Sequence, residues 1–195
     1  MTDTRERILE ASAELFGRRG YAATGLSQIV SEAQAALGSI YHFFPGGKQQ
    51  LGVESIRRSG SLYAGLIDAV FDAEPDVVTA VQVFFRGAAE QLEATGFQDA
   101  CPIATVALEV ASSNDTLREA TAEVFESWIA DAAARFGGAG IPADESRRVA
   151  TLLLALLEGA FVLCRAAQST AALGLAEREA VALVSDALSR SASPA

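Results

Sequence analysis

Residues 25–44 read GLSQIVSEAQAALGSIYHFF. Leu26, Ile29, Val30 and Ala33 recur at i, i+3, i+4 and i+7, the spacing of one buried helix face, so a helix is expected over Leu26–Ala33. After a tight turn, Leu37, Ile40, Tyr41 and Phe44 repeat the pattern, and a second helix is expected over Ala36–Phe44. Helices this short are not stable alone in water. They need a third element to cover their apolar stripes, and Arg5–Arg18 upstream supplies one, with Ile8, Leu9, Ser12, Leu15 and Phe16 on one side. Two such helices leaning on a preceding one form a helix-turn-helix, which lays its second helix in the major groove of DNA.

Outward from this segment, composition favours an all-α chain. Of 195 residues half are apolar, alanine is abundant, and Gly and Pro fall mainly between helical stretches. Pro45-Gly46-Gly47 stops the second short helix. Further helices are expected over Lys48–Phe71, Val77–Ala94, Cys101–Ser112, Thr116–Phe136, Pro142–Gln168 and Ala176–Ser191, about nine in all. Thr2-Asp3-Thr4 offers a cap to the first helix and Asn114-Asp115 to the one before Phe136; Ser191–Ala195 reads as a frayed tail. The organisation expected is a head over residues 1–48 and a body over 49–195, joined by the long helix that starts at Lys48 without a loose spacer.

Charge divides along the same line. Residues 1–60 carry seven Lys/Arg against six Asp/Glu, net +1, while the remainder carries eight against nineteen, net −11. A near-neutral head on an acidic body meets a polyanion from one end, with steep salt dependence. No window holds about 18 uninterrupted apolar residues, and MTDTRERILE has no apolar leader core. The expectation is a cytoplasmic protein with no membrane partner. Cys101 and Cys164 stand far apart without Cys or His companions and read as reduced, buried thiols. With one histidine, no nucleophile elbow, no phosphate-binding glycine loop and no ligand cluster, the sequence points to no catalytic residues, no metal and no cofactor.

Gly20-Tyr21-Ala22-Ala23-Thr24, Ile29, Ala33, Gly38-Ser39-Ile40-Tyr41-His42-Phe43-Phe44 and Lys48 resemble the TetR family of bacterial transcriptional repressors over about Arg5–Leu51. Pro45-Gly46-Gly47-Lys48 and Cys101-Pro102-Ile103-Ala104 resemble the branch typified by lincomycin-resistance and flavonoid-responsive repressors. The resemblance implies an all-α homodimer with a DNA-binding head, a ligand-sensing body, and two final long helices that pair with their copies. Two positions depart from the family pattern. Gln34 stands where a turn glycine is usual, at a site that commonly needs positive φ, and Leu37 stands where a basic or polar residue usually opens the recognition helix. Leucine cannot hydrogen-bond a base edge, though it can touch a thymine methyl.

The DNA-contact residues expected are Thr24, Gln28, Ala36, Leu37, Ser39, Tyr41, His42 and Lys48, set against the plain alternative that Tyr41 is core and His42 an ordinary surface residue. Phe84, Phe85, Cys101, Glu109, Phe125, Trp128, Phe161 and Arg165 are the candidates for an apolar effector cavity, Glu109 and Arg165 being charges among apolar neighbours. Most of these aromatics would be core in any helical bundle. Arg147–Gln168 is apolar nearly all round; Leu153, Leu156, Leu157 and Ala160, with Val184 and Leu188, are the expected dimer interface, helped by small Ala155, Gly159, Ala166 and Ala182. The function expected is a ligand-responsive repressor acting on a palindromic double-stranded operator as a homodimer, released by a small aromatic or apolar effector. The alternative is a small-molecule binding or interaction protein with the same fold and a degenerate head.

Overall fold

The computed structural model describes residues 3–192. Thr2 of the expected cap and residues 193–195 of the expected tail lie outside them. The described residues form nine α-helices and no strand: α1 Thr4–Arg19, α2 Leu26–Glu32, α3 Leu37–Phe43, α4 Gly47–Ala73, α5 Val77–Ala94, α6 Pro102–Val110, α7 Asp115–Gly138, α8 Ala143–Ala167 and α9 Ala171–Ala192.

Local chemistry sets the helix ends. Asp76 Oδ1 accepts the N–H groups of Val78 and Thr79, each at 2.9 Å, and these bonds, that of Thr79 foremost, hold its carboxyl below the usual range. Asn114 Oδ1 accepts the Leu117 N–H at 3.1 Å and caps α7. Pro102 opens α6, where its missing N–H leaves nothing unsatisfied. The last helix begins at Ala171, earlier than the expected Ala176. Gly174 is a poor helix former, but burial of Leu173 at 0% exposure outweighs it.

By backbone packing the chain forms two units. The first is the chain up to Tyr63 together with Ala100–Val124; the second is Ala64–Asp99 together with Phe125 onward. Thus α6 and the first part of α7 pack with the N-terminal helices, where the sequence grouped them with the body.

The first unit is organised around α1. Ile8, Leu9 and Phe16 of α1, Ile29 of α2, Ile40 of α3, Leu51 of α4 and Ile103 and Val106 of α6 are all buried. Close approach is built in at α4. A Cβ on Gly52 would stand 2.9 Å from both Leu117 and Tyr21, and one on Gly60 2.7 Å from Val124. Ion pairs Arg5–Glu54 and Arg58–Glu6 tie α1 to α4.

In the second unit α9 packs against both α5 and α8. Val81, Phe85 and Leu92 of α5 are buried, as are Val149, Cys164, Leu173 and Val184 of α8 and α9. Arg135 donates to Asp68 at 2.7 Å and to Asp72 at 2.8 Å, with its guanidinium over the Phe71 ring. Glu145 takes hydrogen bonds from Arg148 and Arg190, which hold its carboxyl down to about 2 and join the start of α8 to the end of α9. Both cysteines are free and buried.

Four of the expected interface residues are corrected. Leu153, Leu157, Ala160 and Val184 are buried within the single chain, and Leu156 and Leu188 are half-buried. The outward face of α8 is a different row: Leu152, Ala155, Gly159, Val162, Leu163 and Ala166 are exposed, joined by Leu175 and Ala182 on α9. By length and composition α8 is also apolar enough to cross a membrane, although Glu158 interrupts its apolar run.

Candidate nucleic-acid interface

The helix-turn-helix is assembled by backbone caps and one distant arginine. Gly25 has no side chain to cap α2, but its carbonyl accepts the Gln28 N–H at 3.1 Å, while Gln28 Oε1 accepts the Gly25 N–H at 2.9 Å. Gln28 stays exposed and keeps its amide donors for another partner. At the turn, Gln34 takes the left-handed conformation with φ 49°, as its place in the pattern required. Arg7 of α1 steadies this turn: its Nε donates to the Ala33 carbonyl at 3.0 Å and its Nη2, more loosely, to that of Gln34 at 3.5 Å. Sequence reasoning did not find Arg7, because its partners lie on another helix and no local pattern marks such a pair.

A non-glycine residue in that conformation costs about 1–2 kcal/mol, while glycine gives back about 0.4–1 kcal/mol through its freer unfolded chain. Gln34→Gly is therefore expected to stabilise the first unit by about 0.5–1 kcal/mol, read as a higher denaturation midpoint with unchanged slope.

On α3 only Ile40 and the following Phe44 are fully buried, both at 0% exposure. Leu37 and Tyr41 stand 50% and 57% exposed, so the expected four-residue stripe narrows to two. A seven-residue helix can turn only one narrow face to α1 and α2. Ala36, Gly38 and His42 are also exposed, and Ser39 is half-buried. Thr24 is corrected: it is buried, and its hydroxyl donates to the Gly20 carbonyl at 2.8 Å, so no side-chain contact with DNA is open to it.

Lys48, in the first turn of α4, is half-buried with its ammonium 4.4 Å from the centre of the Tyr21 ring. Burial pulls its pKa down, and the nearby Glu109 carboxylate opposes that shift. Glu109 belongs to this region and is corrected as a cavity residue. Its Oε2 accepts the Ala22 N–H at 2.9 Å, and its carboxylate fills the space beside Gly20, where a Cβ would stand 1.8 Å from Oε1. Gly20 has φ 84°, a backbone conformation that favours glycine.

The other cavity candidates are divided between the units. Cys101 lies in the first unit, where its Sγ accepts the Ala104 N–H at 3.4 Å and caps α6. The second unit holds the rest: Phe85 and Trp128 buried, and Phe84, Phe125, Phe161 and Arg165 half-buried. Phe125 and Trp128 meet edge to face at 5.8 Å. Arg165 Nε donates to the carbonyl of Phe97, a residue in left-handed conformation at φ 62°. Shallow clefts lie along α1 and α2, lined by Arg7, Glu10, Glu14, Glu32 and Gln34, and by Arg19, Ser27, Gln28 and Ser31.

Residues 8–54, the span of this interface, match the bacterial regulatory proteins of the tetR family, and residues 77–179 match the C-terminal domain of LmrA/YxaF-like transcriptional regulators. Along its length the chain is 37% identical to the HTH-type transcriptional regulator YxaF of Bacillus subtilis over 161 residues, covering 83% of this chain and 84% of that one. The chain belongs to the TetR family. It is also 30% identical to the transcriptional regulator LmrA of Bacillus subtilis over 168 residues, 86% of this chain and 89% of the relative. Among solved structures, reduced NemR of E. coli superposes with a TM-score of 0.81 at 22% identity, over 92% of this chain and 95% of that one. A regulatory protein TetR from Rhodobacter sphaeroides does so at 0.81 and 23%, over 91% and 97%. This TetR-family chain is thus a DNA-binding transcriptional regulator of helix-turn-helix type, as its named relatives are HTH-type transcriptional regulators.

Proposed function

We propose that this regulator is a repressor that binds a palindromic operator as a homodimer and is released by a small, aromatic or apolar effector in the cytoplasm. Residues 1–48 would carry the operator contacts, and 49–195 the sensing and dimerisation. The observation that carries the reading is the display of α3: Leu37, Tyr41 and His42 face solvent while Ile40 and Phe44 anchor the helix from behind. Tyr41 and His42 would donate to phosphates, with Gln28 and Lys48 flanking. The exposed apolar row of α8 and α9 supports a second copy as its cover, and a two-fold axis there would set two recognition helices about 34–36 Å apart. The half-buried rings of Phe84, Phe125 and Phe161 support an aromatic or apolar effector. Its binding would favour a spacing that misses the operator, and each tenfold loss needs about 1.4 kcal/mol of preference for the misfit state.

A mobility-shift titration against the DNA upstream of the chain's own gene tests this. The expected result is a dimeric complex whose affinity falls steeply as salt rises. A folded dimer that shifts no duplex even at low salt overturns it.

A further inference from the structure

We infer that the recognition helix reads thymine through its C5-methyl group, with Leu37 as the reading residue; this rests on the DNA-binding reading above. Between Ala36 and Phe44 there is no Arg, Lys, Asn, Gln, Asp or Glu. The bidentate pairs that identify guanine and adenine in the major groove, and the carboxylates that accept from cytosine, use those residue types. The polar side chains on α3 are Ser39, half-buried, and the two rings of Tyr41 and His42. What the helix does offer is an apolar patch. Leu37 is 50% exposed and shares its edge with Tyr41 one turn on. Ala36 beside it is exposed, and an added Cβ on Gly38 would meet nothing within 4 Å. Such a surface is apolar, and at Ala36 and Gly38 a groove floor can come close to its backbone. Of the major-groove edges of the four bases, only that of thymine carries an apolar group, its methyl. An exposed leucine with bare backbone beside it is matched to that methyl and to no hydrogen-bonding edge.

The apolar contact also accounts for a recognition helix that manages without a cation of its own. Affinity then comes from phosphate contacts, those of Tyr41 and His42 together with the flanking Gln28 and Lys48, and sequence preference from methyl burial. Burying one methyl contributes about a fourfold change in affinity, and about 15-fold when both half-sites of a dimer lose it.

The test begins with duplexes that the full-length protein selects from a random pool. Each thymine of a selected duplex is then replaced, one position at a time, by 2′-deoxyuridine, which lacks only the methyl. Binding is followed by fluorescence anisotropy. One thymine per half-site is expected to show about a fourfold loss on replacement. The Leu37→Ala protein, shown folded by its helical circular dichroism, should bind the thymine and uracil duplexes alike. Leu37→Gln, of similar size, should also lose the distinction and turn toward adenine at that position. If wild-type protein binds selected duplexes but no thymine-to-uracil change matters, the methyl reading is overturned while the repressor reading stands. If the discrimination persists in both Leu37 variants, the assignment to Leu37 is overturned. If no duplex is selected at all, both readings fall together.

Discussion

Phe44→Ala should destabilise the first unit by about 3–5 kcal/mol, the range for deleting a large aromatic from a packed core. Phe44 is fully buried directly after α3, its N–H closes the last turn on the Ile40 carbonyl, and the Arg5 guanidinium stands 5.2 Å from its ring centre. No other large residue of the short α3 shares this duty apart from Ile40, so collapse around the cavity would have to move the helix itself. Against a total stability of about 5–15 kcal/mol, such a loss removes about a fifth of it or more. Chemical denaturation should show the lower midpoint, and amide hydrogens of residues 26–44 should lose their protection first. Tyr41→Ala is the contrasting change. At 57% exposure it should leave stability within about 0.5 kcal/mol while weakening DNA binding. Equal stability of Phe44→Ala and the parent protein would mean that the ring is not the anchor of the recognition helix.

The same pair of residues shows what the sequence could and could not tell. The two short helices, the turn at Gln34 and the stop at Pro45 are written locally, in a 3.6-residue period and in backbone preferences, and each is found where the period puts it. Which apolar residues of α3 face inward is not written there. Leu37, Ile40, Tyr41 and Phe44 fit one stripe equally well, yet only Ile40 and Phe44 are covered in the fold while Leu37 and Tyr41 stay outside. Glu109 and Arg165 have main-chain partners that no local pattern announces: each, a charge among apolar neighbours, meets a group far along the chain, the Ala22 N–H and the Phe97 carbonyl. Thr24 looked like a polar residue at a helix start and proved to be bonded inward to α1 and its C-terminal carbonyls. Caps and turns have partners within a few residues; these contacts do not, and no periodicity encodes them.

Helix α8 presents the hardest case, and it leads to the second large effect. Because it is apolar nearly all round, its sequence offers two candidate seams about one residue apart and no means to choose. The fold assigns the inner one, Val149, Leu153, Leu157, Ala160 and Cys164, to the chain's own core. The outer one, Leu152, Ala155, Gly159, Val162, Leu163 and Ala166, repeats at three- and four-residue steps and is exposed, with Leu163 62% and Val162 57% open to solvent. A continuous apolar row with small residues at its middle is what close helix pairing requires. Leu163→Arg is accordingly expected to give a folded monomer by sedimentation at concentrations where the parent is a dimer. Its affinity for a two-half-site duplex should fall at least about 100-fold, since each head then binds without the effective concentration its twin provides. Leu153→Ala, one face inward, should do the reverse: lower stability by about 2–5 kcal/mol with the dimer retained wherever the chain is folded. Should Leu163→Arg remain dimeric with undiminished DNA binding, the outer row of α8 is not the interface, and the paired-head geometry proposed for the operator loses its support.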